Sequence, residues 1–84
     1  MEHEQLQSQI RDLIAGIIDV PPAEIKPDRQ LVSDLGADPM NALDIIGCLE
    51  RQYGIVIDVG EFQQLATLGG ATRLVETLIE RKRH

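Results

Sequence analysis

The sequence predicts an all-α bundle of three main helices and one short helix, with a long ordered loop between the first two. Three observations carry this reading. Apolar residues recur at spacings of three and four over residues 5–18, 42–53 and 68–78. Between the first two stripes, isolated apolar residues stand among prolines, aspartates and a glycine. The one strand-like run, Ile55-Val56-Ile57, has no second run to pair with. At 84 residues, 1–84 reads as a single domain near the lower limit for burying a core without metal or disulfide support.

The first helix runs from Gln5 to about Ile18, with Leu6, Ile10, Leu13, Ile14, Ile17 and Ile18 on one stripe. Pro21-Pro22 reads as its stop. From there to Asp38, the residues Ile25, Leu31, Val32 and Leu35 alternate with Pro27, Asp28, Ser33, Asp34 and Gly36. This spacing predicts a loop pinned to the core by its own side chains. The second helix begins at Asp38, whose carboxylate can accept from first-turn N–H groups. Pro39 then takes the first helical position, where a missing N–H costs nothing and the fixed φ suits a helix.

On the second helix, Ala42, Ile45, Ile46, Leu49 and Tyr53 share the inward face, while Met40, Asp44, Gly47, Cys48 and Arg51 point elsewhere and Leu43 lies at the boundary. Gly54 is expected to close it in a left-handed conformation, with residues 55–57 following as an extended linker. Asp58 and Glu61 have capping-box spacing and open a short helix to about Leu65. Thr67 caps the last helix, whose inward stripe is Leu68, Ala71, Leu74, Val75 and Leu78. Gly69 and Gly70 are expected to weaken its first turn by up to about 1 kcal/mol each relative to alanine.

Fourteen acids against eight bases give a net charge of −6. Arg81, Lys82 and Arg83 lie in the tail, so residues 1–79 hold thirteen acids and five bases, a net −8. Such a surface repels phosphate backbones and anionic lipid and favours basic protein surfaces, so neither nucleic acid nor membrane is an expected partner. The tail bases read as complements to the dipole of the last helix. Cys48 is the only cysteine, which rules out an intrachain disulfide. No apolar run approaches the ~20 residues of a membrane span, and the N-terminus is polar and acidic. A cytoplasmic location is expected.

No catalytic constellation is present, so the chain is not expected to be an enzyme. His3 and His84 are terminal, with no acid or nucleophile at sensible spacing. Glu2 and Glu4 flank His3, but a terminal segment seldom preorganises metal ligands, and no metal is expected. Cys48 lies late in its helix with Arg51, Arg11 or Arg73 as candidate cations, and reads as a small filler, not a reactive thiol.

Several stretches match a known pattern separately. They are Glu24-Ile25-Lys26-Pro27-Asp28, then Leu31 and Asp34-Leu35-Gly36-Ala37-Asp38, then Leu49-Glu50-Arg51-Gln52-Tyr53-Gly54-Ile55-Val56-Ile57, and Thr67-Leu68-Gly69-Gly70-Ala71-Thr72-Arg73-Leu74-Val75. In this order, nearly the whole chain resembles the acyl carrier protein family and its phosphopantetheine-dependent relatives. The resemblance implies a right-handed bundle in which a serine after the loop's aspartate is esterified by the phosphate of a phosphopantetheine arm. A helix N-terminus suits that negative charge.

Here that position is Pro39, which has no nucleophile, so no cofactor is expected. Ser33, five residues before Asp38, is a poor substitute because using it would misplace every other matched stretch. By the same resemblance, the family's partner surface corresponds to Asp38, Met40, Leu43, Asp44, Gly47 and Glu50, with Asp34, Asp58 and Glu61 extending the negative field. Gly47 and Arg51 depart from the family's usual apolar and acidic choices. The expectation is a monomeric, non-enzymatic interaction or regulatory module that docks on a basic surface of an enzyme of acyl metabolism, fatty acid, polyketide or related. The alternative is a genuine acyl carrier, modified elsewhere or with an anomalous Pro39.

Overall fold

The computed structural model describes residues 2–83, and the expectation for His84 lies outside them. Helix α1 (His3–Ile18) is followed by a 3₁₀ turn (Pro22–Glu24), helix α2 (Asn41–Tyr53), a 3₁₀ helix (Val59–Ala66) and helix α3 (Leu68–Lys82). Among the described residues no strand forms, and residues 55–57 remain an extended linker. Leu6, Ile10 and Ile14 of α1, Ile45, Ile46 and Leu49 of α2, and Leu68, Ala71, Leu74 and Val75 of α3 make one buried cluster. Ile25, Leu31 and Ala37 from the long loop, with Ile55, Ile57 and Leu65, close it. Backbone bonds fix the loop as well: Leu31 N–H donates to Ala66 O and Ala37 N–H to Leu31 O, each at 2.9 Å. Val32, expected among the pinning residues, is instead 49% exposed.

Helix α1 stops before the prolines. Asp19 takes the left-handed conformation (φ 58°, ψ 48°), and its N–H returns to Ala15 O, so the chain has already left the helix when Pro21 arrives. A left-handed turn of this kind satisfies orphan carbonyls at the helix end, a task usually given to glycine. Gly54 performs it for α2, at φ 64°, as its position after Tyr53 predicts. Lys82 Nζ donates to Gly54 O at 2.8 Å. This tail cation therefore serves the negative end of α2 and not that of its own helix, while Arg81 lies 4.0 Å from Glu61.

The short helix is 3₁₀ throughout, opened by the Asp58–Glu61 capping box, in which Asp58 N–H donates to Glu61 Oε1 at 3.3 Å. Thr67 Oγ1 accepts Gly70 N–H at 3.0 Å and caps α3. The glycine pair that follows is a requirement of packing. A Cβ on Gly70 would overlap the Gln64 carbonyl, and one on Gly69 would stand 3.0 Å from Pro27 O. Gly69 N–H also donates to Pro27 O at 2.9 Å. The lost helix propensity is the cost of letting two backbones touch the start of α3.

Candidate functional site

The start of α2 is the place where the chain's unusual residue meets solvent. Asp38 Oδ1 accepts Met40 N–H at 2.8 Å, and Asp38 N–H donates to Asn41 Oδ1 at 2.9 Å. The Asp38 side chain thus caps the Met40 N–H and the Asn41 side chain the Asp38 N–H, in a turn that precedes the helix: α2 begins at Asn41, so Pro39 stands two residues before it and not at the first helical position expected from sequence. The first turn is tighter than the α-helix expected from Asp38 onward. Asn41, Ala42 and Leu43 N–H groups donate to the carbonyls three residues back, at 2.8, 3.1 and 3.2 Å, before α-helical bonding begins at Asn41. Pro39 loses no bond in this geometry, since neither pattern asks its nitrogen for a proton. Asn41 was not singled out from sequence, although its place three residues after Asp38 carried the signal.

Six residues were expected to form a partner surface, and the structure divides them. Asp38, Met40, Leu43 and Asp44 are exposed together over the first turns, Met40 at 66% and Leu43 at 57%. Gly47 and Glu50 are half-buried. Arg51 lies across Gly47, with one Nη 3.4 Å from where a Cβ would stand and the other donating to Cys48 Sγ at 3.4 Å. Glu50 turns toward the linker, where its Oε2 accepts Ile57 N–H at 2.9 Å. Its carboxylate braces the chain beyond Gly54. Of the acids flanking this surface, Asp34 accepts Gln30 N–H at 2.9 Å and Glu61 belongs to the capping box.

Ala42, expected inward, is exposed at the rim of a small apolar cavity of about 110 Å³. Leu31, Ala37, Ile45, Phe62 and Leu65 line it beside the start of α2. Phe62 was missed because its short helix gave no periodic stripe long enough to orient it. Away from this end, His3 Nδ1 lies 2.9 Å from Glu76 Oε1, an acid that folding, not sequence spacing, brings to it. Arg11 donates to Ile25 O at 3.3 Å, so the cation that reaches the Cys48 thiol is Arg51.

A family model described as "Phosphopantetheine attachment site" matches residues 8–75. An acyl carrier protein from Wolinella succinogenes is 32% identical over 68 residues, covering 81% of this chain and 90% of that protein. The chain belongs to the acyl carrier protein family. A second acyl carrier protein, from Sulfurovum sp., is 29% identical over 73 residues, with 87% and 97% of the two chains covered. The solved structure of an acyl carrier protein from Enterococcus faecalis shares the fold at a TM-score of 0.76 and 19% identity, over 93% and 99% of the chains. Three main helices, a short fourth and a long first loop are thus the acyl-carrier architecture. No helix among the described residues is long and apolar enough to cross a membrane.

The family's cofactor finds no matching chemistry at the start of α2. A phosphodiester needs a hydroxyl, and Pro39 has none. The Ser33 hydroxyl, exposed in the loop before Gly36, donates to Gln30 Oε1 at 3.0 Å and lies outside the capped turn. The residues present at this end therefore do not fit an attached phosphopantetheine.

Proposed function

We propose that this acyl-carrier-family chain is a non-catalytic interaction module that docks on a basic surface of an acyl-metabolism enzyme without carrying phosphopantetheine. The observation that supports it is Pro39, which stands two residues before α2 in the turn held by the Asp38–Met40 bond. The acids and apolar residues around this turn are exposed, while residue 39 has no nucleophile to anchor an arm. The docking surface is the turn Asp38–Met40 together with the first turn of α2. There Asp38 and Asp44 would steer a basic partner into register, and Met40 and Leu43 would set the lifetime of the complex. Gly47 and Glu50 lie outside the contact in this reading, one beneath Arg51 and the other bonded to the linker.

Family membership itself favours a second reading, a genuine carrier modified at a residue other than 39, with Ser33 as the exposed hydroxyl nearest in sequence. One experiment separates the two. The protein is incubated with coenzyme A and a phosphopantetheinyl transferase and weighed intact. No mass change is expected, and a gain of one arm would sink the interaction-only reading. The Pro39→Ser variant is expected to gain the arm at residue 39, because the cap and the exposed face around it are already in place.

A further inference from the structure

We infer that the apolar cavity beside the start of α2 receives one aliphatic side chain of the docked partner, carried on a basic segment whose cation meets Asp38. The inference rests on the docking reading above and supplies its anchor. The cavity measures about 110 Å³. Leu31, Ile45 and Leu65 are buried around it, and Val32, Asp38 and Ala42 are exposed at its mouth. Asp38 belongs both to this lining and to the docking surface, so the two are contiguous. Val32, left 49% exposed where the loop was expected to bury it, becomes part of an apolar rim.

The lining selects the chemistry of the occupant. Apart from Asp38 and Asn41, every side chain around the cavity is aliphatic or, at Phe62, aromatic, so a polar group sunk past the mouth is desolvated without compensation. Size narrows the choice further. An apolar cavity of about 150 Å³ admits benzene, so this smaller one suits a leucine-sized group and excludes an indole. The walls are held before any partner arrives: Leu31 N–H donates to Ala66 O and Ala37 N–H to Leu31 O, each at 2.9 Å, which ties the loop to the 3₁₀ helix. A preformed pocket of this kind loses little entropy on binding.

Charge decides which molecule brings the aliphatic group. Asp38 is the one charged residue in the lining, and no base accompanies it. Its Oδ1 accepts Met40 N–H at 2.8 Å, which leaves Oδ2 to a cation. Asp44, exposed in the first turn of α2, adds to the same negative field. A free fatty acid would bring its own carboxylate to this mouth and be repelled, whereas a lysine or arginine beside a leucine is drawn in. A buried aliphatic anchor with a charged contact at its edge is where interface energy concentrates.

The test is an NMR titration of the full chain, labelled on backbone amides and on leucine, isoleucine and valine methyls, with the synthetic peptide Lys-Arg-Leu-Lys-Arg. Analogues with serine or tryptophan at the centre, and hexanoate, are titrated at matched ionic strength. Saturable shifts are expected at the Leu31, Ile45 and Leu65 methyls, with NOEs from the peptide leucine to the Phe62 ring, all weakening as salt is added. Serine or tryptophan in place of leucine is expected to lower affinity roughly tenfold. A42L, which narrows the mouth at an exposed position, is expected to bring the leucine peptide down to the affinity of the serine peptide; the peptide series itself needs no variant. D38N keeps a capping oxygen and is expected to weaken both peptides alike, and unchanged affinity there overturns the cation's placement. Shifts at the Met40, Leu43 and Asp44 amides with unmoved methyls, and equal affinity for the leucine and serine peptides, overturn the inference and leave the docking reading standing. Amides and methyls both unmoved at millimolar peptide overturn the two together. Hexanoate moving the same methyls as strongly as the leucine peptide overturns the inference in favour of a site for detached acyl chains.

Discussion

At the scale of single residues, Asp38 and Asp19 are the same amino acid with opposite consequences. Asp38 satisfies an orphan N–H at a helix start and places negative charge where the helix dipole favours it. Asp38→Ala should therefore destabilise by about 1 kcal/mol in urea melts. Asp19 sits at a helix C-terminus with φ 58°, unfavourable both for its charge and for its Cβ. Asp19→Gly should stabilise by roughly 0.5–1 kcal/mol, a gain that unfavourable backbone entropy of glycine only partly offsets. Pro39→Ser should lose about 0.4–1 kcal/mol, because proline already holds the helical φ in the unfolded chain. Tyr53, half-buried with its hydroxyl on Gln9 at 3.1 Å, has its pKa raised above 10.0 by desolvation. The folded state favours the neutral phenol, so this contribution is complete below pH 10 and disappears as pH rises through the folded value. The alkaline limb of a stability profile should flatten in Tyr53→Phe.

Between elements, local rules read well and contacts across the chain did not. The Asp38 cap, the Gly54 stop, the Asp58–Glu61 box and the Thr67 cap all depend on residues within four positions of one another, which is why spacing revealed them. Glu50 looked like a surface acid because nothing in α2 announces that Ile57 N–H will fold back to within 2.9 Å of it. Glu50→Ala should cost about 1–2 kcal/mol by stranding that donor, whereas Glu50→Gln should stay near wild type in stability because an amide oxygen can accept the same bond. Equal losses in both variants would show that charge, not bracing, matters there. Gly70 gives the parallel lesson for backbone approach. Helix propensity alone predicts that Gly70→Ala gains up to about 1 kcal/mol. Overlap with the Gln64 carbonyl predicts a net loss of about 2 kcal/mol or more, and thermal melts decide the sign.

Across the whole molecule, charge sets the terms more than any single contact. The net −6 is carried on a body whose longest dimension is 37 Å. Raising ionic strength from about 0.01 to about 0.1 M shortens the screening length from ~30 to ~10 Å, which damps most of the repulsion between distant acids. The melting temperature should therefore rise with sodium chloride, and rise further per mole with magnesium. A flat or falling response at low ionic strength would contradict a repulsion-limited fold. Composition made this readable in advance, as did the all-α architecture, because neither depends on which side chain finds which partner. What composition could not give was distribution: Arg11 and Lys26 are far apart in the sequence, yet they line one cleft after the loop closes.

The Arg51 side chain laid over Gly47 has a consequence for how α2 can be approached. If a basic partner docks as proposed, Asp38 and Asp44 attract it and the Arg51 guanidinium, two turns beyond Asp44, repels it. In the proposed docking mode Arg51 therefore marks the far edge of the contact.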